Sequence, residues 1–303
     1  MASGVMTSGR YSNNYDKRFE DIFMDNYNER TPEYTMLFKT QNWGEQFIKK
    51  GDMAALGTMD YVSEGQGGAL QAFTQGNNKT VYFKEYKMNV QVTEPARDDD
   101  LTGMMDMIPA KMGSAAAYTV EYLAVDMINN GFSGSILGLD GKDLFADDHP
   151  YIDYGSNTQN NESTNSFSYS SLQTGCEHFE SIKNEKGLPV RYDVSKLILP
   201  YQLKWLAEEI LGSGANLKPG TANNDINSIQ ALEDIKYMVY HYLTSTTAWF
   251  LFSNDADIEW IWRKSIALDN WNDKNTGNDV YQVKMRCAPT FFNWRGSYGS
   301  TGA

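Results

Sequence analysis

The longest regular pattern of apolar residues lies between residues 110 and 129, where they recur at spacings of three and four. This spacing places them on one side of a helix, and the alanines among them favour helix further. Pro109 suits the start of a helix because it lacks an amide hydrogen, and Asn130–Gly131 suits its end. The pattern predicts a rod of about 20 residues and roughly 30 Å. Its apolar stripe consists of Val120, Leu123, Met127 and Ile128.

The first 56 residues are predicted to form an N-terminal arm. Phe19, Ile22, Phe23 and Tyr27 make one apolar stripe between charged residues, which indicates a short amphipathic helix. Such a helix needs a surface to lie on, either in its own chain or on a neighbouring subunit. The residues alone leave both alternatives open. The helical spacing of the next apolar residues predicts a second helix in the arm, and these residues are Trp43, Phe47 and Ile48.

An extended β-hairpin loop is predicted for residues 57–94. Residues 58–63 form the outgoing limb, and residues 80–93 return with apolar and polar positions in period two. Because a two-stranded hairpin is marginally stable alone, we expect it to lean on another subunit. The candidate subunit contacts are Glu64, Gln66, Leu70, Phe73 and Tyr82 in the loop, with Phe19 and Phe23 in the arm.

After the rod the chain mixes helices and strands, which makes the fold class α+β. Apolar stripes predict helices over 172–182 and 203–210, and short apolar runs predict strands over 194–199 and 248–252. Residues 258–288 alternate around a turn at Asn275–Thr276–Gly277, and an aromatic strand over 290–300 closes the chain. The polar segment 213–227 is predicted to be a loop.

Composition narrows the functional classes. The 303-residue chain carries a formal net charge of −13, which argues against a protein that clamps nucleic acid phosphates. Its two cysteines, Cys176 and Cys287, are far apart and lack a Cys-x-x-Cys pair, so we expect reduced, buried thiols. No run of 18 apolar residues suggests a membrane span.

One sequence cluster resembles a chemical site. Asp147, Asp148 and His149 could ligate a metal or act in a cleft, but the same residues before Pro150 also form a simple turn. The turn is the favoured interpretation, because no nucleophile motif accompanies them. His178, beside two glutamates, is expected on a solvated helix face. We predict no enzyme, cofactor or metal site; the alternative is a carbohydrate-active hydrolase or lyase with a site near Asp148 and His149.

A set of ordered motifs follows the rod. The turn after the rod contains Asp140, Gly141, Phe145, His149 and Pro150. It is followed by a Gly-Leu-Pro turn at 187–189, a strand ending in Leu-Ile-Leu-Pro at 197–200, and a closing segment at 293–300. This ordered set resembles the major capsid subunit of Mu-like tailed bacteriophages, over roughly residues 93–300, and we call the first of these motifs the family-motif turn.

This resemblance implies an HK97-like capsid fold whose spine helix is the predicted rod. It assigns residues 1–56 to the arm, 57–94 to the extended loop, 95–130 and 254–287 to the peripheral domain, and 131–253 and 288–303 to the axial domain. The implied function is a structural major capsid protein that self-assembles into hexamers and pentamers around double-stranded DNA. The implied partners are copies of itself, with portal, scaffold and possibly cement proteins. It would reside in the virion, and in the host cytoplasm during assembly.

Overall fold

The structure of the protein is a computed structural model that describes residues 12–54, 56–93, 95–96, 99, 105, 107–134, 136–212, 229 and 234–303. The expected polar loop 213–227 lies outside the described residues. The helices are Ser12–Tyr27 (α1), Tyr34–Leu37 (α2), Met107–Asn129 (α3), Tyr169–Ser181 (α4) and Lys204–Gly212 (α5). The strands are Lys39–Asn42 (β1), Phe47–Met53 (β2), Gln75–Tyr82 (β3), Lys84–Val92 (β4), His149–Pro150 (β5), Thr158–Gln159 (β6), Glu162–Ser163 (β7), Val194–Leu199 (β8), Lys236–Val239 (β9), Trp249–Ser253 (β10), Ile258–Asp273 (β11), Asn278–Phe291 (β12) and Ser297–Ser300 (β13).

The predicted rod is confirmed as α3. Pro109 lies in its first turn, where the missing amide hydrogen removes no helical hydrogen bond. Val120, Met127 and Ile128 of the predicted stripe are buried. The helix closes at Gly131, whose amide donates to Ile128 O at 3.0 Å. No helix in the described part of the chain combines the length and apolarity needed to cross a bilayer.

The chain divides into two compact units, and the first comprises the described parts of residues 1–47, 82–124 and 260–289. It contains a four-stranded sheet in the order β1-β11-β12-β4. β4 pairs antiparallel with β12 from Val92↔Asp279 to Lys84↔Cys287. Side chains from α1, α3, β4 and β12 share one core beneath this sheet.

Two backbone amides at the start of α2 donate hydrogen bonds to one carboxylate on α3, and these bonds hold the N-terminal region of this unit in place. Glu121 on α3 is buried, and its Oε1 accepts the Glu33 amide at 2.7 Å. Its Oε2 accepts the Tyr34 amide at 3.2 Å. One carboxylate therefore satisfies two amides at the start of α2, which have no partner within that short helix.

The turn between β11 and β12 is at the predicted position. Gly277 has φ of 72°, which favours glycine, and its amide donates to Asp273 O at 2.7 Å. The two long strands follow from period-two alternation on either side of this turn.

The second unit comprises residues 48–81, 125–259 and 290–303. Its five-stranded sheet has the order β7-β13-β10-β8-β9, and every residue of the central strand β10 is buried. The helices α4 and α5 contribute to the core of this sheet through Leu172, Phe179, Ala207 and Ile210.

The predicted hairpin of residues 57–94 is wrong in its pairing. β3 pairs with β2, and β4 pairs with β12, while the expected outgoing limb 58–63 forms no strand. The composition of the limb does not explain this, since residues 58–63 contain Thr58, Tyr61 and Val62, which favour strands. The alternating return segment pairs with strands outside the expected hairpin.

Two further predictions are corrected. Phe47 and Ile48 belong to β2 instead of a helix, and Ile48 is buried while Phe47 is exposed, the alternation of a strand. The expected single strand over 290–300 is two strands, because Gly296 with φ of 83° turns the chain between β12 and β13.

The cysteines differ in burial. Neither joins a disulfide, and Cys287 is buried as expected whereas Cys176 is only half-buried. Burial raises the pKa of the Cys287 thiol to about 12, so this thiol stays protonated at neutral pH.

Candidate assembly surface

The arm residues Phe19 and Phe23 are not available as subunit contacts. Both side chains are buried in the first unit, where the Phe19 ring meets the Tyr281 ring edge-on at 5.5 Å. They share their core with Met112 and Ala116 of α3. The structure thus supports the alternative in which α1 packs on its own chain, and it contradicts the assignment of these two residues to a neighbour.

The segment between β2 and β3 is the most exposed apolar part of the described chain. Met59, Tyr61 and Leu70 are 96%, 94% and 103% exposed, values close to those of an unfolded chain. Phe73 is 65% exposed. Large apolar side chains with no cover of their own mark an interaction surface. We call residues 59–70 the loop tip.

The other predicted contacts lie on or near this segment. Glu64 and Gln66 are exposed at the turn of the loop tip, where the Gln66 amide donates to Ser63 O at 3.1 Å. Tyr82 ends β3, is 67% exposed, and its ring lies 6.1 Å from the Phe47 ring. Of the seven predicted contact residues, the five in the loop are accessible and the two in the arm are not.

The family-motif turn is a buried polar centre in the second unit. The Asp140 side chain accepts the Lys142 amide through Oδ1 at 3.1 Å, and Gly141 has φ of 78°. Asp140 Oδ2 lies 2.6 Å from His149 Nδ1. The His149 ring is fully buried and stacks on the Trp294 indole at 4.1 Å between ring centroids.

Asn161 completes this centre. Its Oδ1 accepts the Ala146 amide at 2.9 Å and faces His149 Nε2 at 3.0 Å, while its Nδ2 donates to Leu144 O at 2.8 Å. Because Asn161 Oδ1 is an acceptor, His149 Nε2 donates to it. A second hydrogen lies between His149 Nδ1 and Asp140 Oδ2, since two acceptors would not approach to 2.6 Å without one. Both ring nitrogens are therefore engaged within the protein.

The apolar half of the motif is equally enclosed. Phe145 is buried beside the Phe132 and Phe250 rings at 4.9 and 5.2 Å. A Cβ at Gly299 would lie 2.7 Å from the Phe145 ring, so this ring requires glycine opposite it. Pro150 pairs with Thr158 in the short β5–β6 ladder.

This geometry excludes the hydrolase or lyase alternative near Asp148 and His149. His149 has no free ring nitrogen and no access to solvent, and Asp148 forms an ion pair with Lys142. Trp294 covers the imidazole, so it cannot stack on a sugar. The described residues contain no group of three acidic, histidine or cysteine side chains that could hold a metal.

His178 also differs from expectation. Its Nε2 is buried without a hydrogen bond in the described chain, and its ring lies 5.2 Å from the Tyr298 ring. Burial, with a smaller contribution from His149, lowers the pKa of His178 to about 4. His178 is therefore a neutral, half-buried residue whose Nε2 faces the protein, rather than part of a solvated face.

Sequence reasoning missed two polar elements. Arg295 forms a buried ion pair with Glu185 and donates from Nε to Lys183 O at 2.8 Å. Gln71 bonds the opposite limb of the loop. Neither residue belongs to a local pattern, and their partners are distant in sequence, so no signal in one sequence could have found them.

Comparisons with known proteins agree with this arrangement. The family described as "Phage capsid protein" matches residues 78–299, most of the chain. No curated protein matches. Among solved structures, the mature capsid of bacteriophage PhiM1 is similar, with a TM-score of 0.59, 10% identity, and coverage of 89% of this chain and 87% of that chain.

Two other solved structures share the fold. The virus-like particle from Pyrococcus furiosus gives a TM-score of 0.54 at 10% identity over 94% of this chain and 99% of that chain. The structure of Mycobacterium phage Adephagia gives a TM-score of 0.54 at 12% identity, over 89% of this chain and 90% of that chain. The HK97-like fold is confirmed. The matches do not single out Mu-like head subunits, so that finer assignment stays a prediction. This chain is a structural protein rather than an enzyme, and it belongs to the phage capsid protein family.

Proposed function

We propose that this major capsid protein assembles as hexamers and pentamers into an icosahedral head around double-stranded DNA, and that the loop tip is one of its contacts with a neighbouring copy. The observation that carries this proposal is the near-complete exposure of Met59, Tyr61 and Leu70. Covering three such side chains in each copy would stabilise a shell by many repeated modest contacts.

The charge of the loop fits a partner that is not acidic. Residues 54–78 contain Asp60 and Glu64 and no lysine or arginine. The neighbouring copy carries the same net charge of −13, and its acidic surfaces would repel this segment. The loop tip should therefore lie on an apolar or basic patch of the neighbour.

The two compact units correspond to the domains of a capsid subunit in this proposal. The first unit, with α3 and the long strands β11 and β12, would be the peripheral domain, and the second, with the five-stranded sheet, the axial domain. Within the proposed arm of residues 1–56, α1 would lie on its own subunit through Phe19 and Phe23. The buried motif of Asp140 and His149 would hold the axial domain together instead of contacting a ligand.

The net negative charge suits a container for DNA. An acidic inner surface would leave packaged DNA mobile, because it offers few cations to bind phosphates. Portal and scaffold proteins, and possibly a cement protein, would be further partners. Assembly would take place in the host cytoplasm before the protein resides in the virion.

The test replaces the exposed apolar side chains and leaves the loop backbone in place. The variant Met59→Ser/Tyr61→Ser/Leu70→Ser should keep the melting temperature of the unassembled subunit, because these side chains contribute nothing to its core. Electron microscopy and sedimentation should show no shells. Ser63→Ala is the control in the same segment. Normal shells from the triple variant would refute a contact role for the tip.

A further inference from the structure

Beyond the last backbone hydrogen bond at its base, the extended loop is joined across its two limbs by one side chain, that of Gln71. The last backbone rung after the β2–β3 ladder joins the Ala54 amide to Thr74 O at 2.9 Å. Farther out, the Gly57 amide donates to Gln71 Oε1 at 2.9 Å, and Gln71 Nε2 donates to Thr58 O at 2.9 Å. One amide side chain therefore accepts from and donates to the opposite limb, as a ladder rung would.

The loop tip beyond Gln71 has few hydrogen bonds of its own. Within residues 59–70, all of which are described, the hydrogen bonding is limited to the turn from the Gln66 amide to Ser63 O. Met59 directly follows Thr58, and Leu70 directly precedes Gln71. The clamp thus fixes the distance between the first and last residues of the loop tip, which are two of its three most exposed apolar side chains.

We infer that Gln71 is the positioning residue of the assembly loop: its side chain joins the two limbs and holds Met59 and Leu70 in the arrangement that a second copy of this chain receives. The inference rests on the proposed contact role of the loop tip. A preordered loop loses less conformational freedom on docking than an open one, so closure of the base strengthens association without adding a contact.

The chemistry of the residue type is specific. An amide side chain offers one acceptor oxygen and a donor nitrogen on the same group. Glutamate at this position would still accept the Gly57 amide but could not donate to Thr58 O when ionised. Methionine has a similar length and lacks both strong groups. The series glutamine, glutamate, methionine therefore removes the clamp in two steps.

The experiment compares Gln71→Glu and Gln71→Met with the natural chain. The concentration at which shells appear, followed by light scattering, should rise about tenfold for Gln71→Met and less for Gln71→Glu. Hydrogen exchange of the Gly57 amide in the unassembled subunit should accelerate in Gln71→Met and stay near the natural rate in Gln71→Glu, which keeps the acceptor. The melting temperature of the subunit should stay unchanged in both variants. The control is Gln91→Met on β4, an exposed glutamine whose side chain forms no hydrogen bond with the described residues.

The outcomes separate this inference from the proposed function. If the triple variant of the tip forms no shells while Gln71→Met assembles at the natural threshold, the tip is a contact and the positioning role is wrong. The role is also wrong if the threshold rises without faster exchange at Gly57. If the triple variant forms normal shells, the proposed contact itself fails. A raised threshold together with faster exchange supports the inference.

Discussion

His149 Nδ1 lies 2.6 Å from Asp140 Oδ2, and the imidazole between this carboxylate and Asn161 is fully buried. The contact between Asp140 and His149 joins the family-motif turn, which follows α3, to β5. Because the imidazole is enclosed, water cannot replace Asp140 as the partner of His149 Nδ1. The stability of this region should therefore depend on both residues together.

Replacing His149 should lower the free energy of unfolding of the subunit. His149→Phe keeps an aromatic ring over Trp294 but leaves the Asp140 carboxylate without its buried partner, so we expect a loss of about 3–5 kcal/mol in the free energy of unfolding. Chemical denaturation of the unassembled subunit measures it. Asp148→Asn is the control, since the ion pair of Asp148 with Lys142 is at the surface and should contribute little to stability. Equal losses in the two variants would contradict the structural role of His149.

Asp140 and His149 also show which features of the structure could be predicted from the sequence. The Asp147-Asp148-His149 run drew attention to the adjacent acids, but the partner of His149 is Asp140, nine positions away across a turn. The family resemblance placed a turn at Asp140 and Gly141, but the contact of the Asp140 carboxylate with the imidazole depends on the tertiary structure. Periodic elements such as α3 and the β11–β12 turn were predictable because they depend on local spacing. Strand partners and the burial of Phe19 were not, since both depend on distant segments.

Gly113 offers a test in which two local effects oppose each other. In a helix, glycine to alanine ordinarily stabilises by about 1 kcal/mol. Here a Cβ at Gly113 would lie 2.5 Å from Phe23 O on α1, so backbone must shift. We expect Gly113→Ala to destabilise the subunit by about 1–3 kcal/mol. Gly44→Ala, where a Cβ meets nothing within 4 Å, is the control for thermal denaturation. A stabilised Gly113→Ala variant would show that α1 does not approach α3 this closely in solution.

His178 should make the subunit sensitive to acid. Its pKa falls from an ordinary value near 6.5 to about 4 in the folded protein, mainly through burial. Between these values the unfolded chain binds the proton more readily, so stability is lost as pH falls from 6.5 toward 4.

The variant His178→Phe should reduce this loss by about 2 kcal/mol between pH 7 and pH 4.5. Denaturation at the two pH values measures the difference, and His241→Phe is the control because His241 is exposed. An identical acid response in the natural chain and His178→Phe would contradict the burial of this ring.

Lys79 should give a pH dependence of the same sign on the alkaline side. Its Nζ donates to Phe291 O at 2.6 Å beside the Phe291 and Phe292 rings, and burial lowers the pKa of Lys79 to about 8 although Asp140 and other carboxylates oppose the shift. The unfolded chain, with an ordinary value of 10.5, then binds more protons above pH 8. Stability from this group therefore rises with pH between 8 and 10.5.

The measurement compares the natural chain with Lys79→Met by chemical denaturation at pH 7.5 and 9.5. The natural chain should gain about 2 kcal/mol relative to the variant over this range. Work above pH 10 would confuse the result, because burial raises the pKa of Tyr192 and Tyr298 and their ionisation then favours unfolding. Lys49→Met, an exposed lysine on β2, is the control and should follow the natural chain. If the difference in the free energy of unfolding between the natural chain and Lys79→Met stays constant across this pH range, the Lys79 ammonium is hydrated in the folded protein and burial does not lower its pKa.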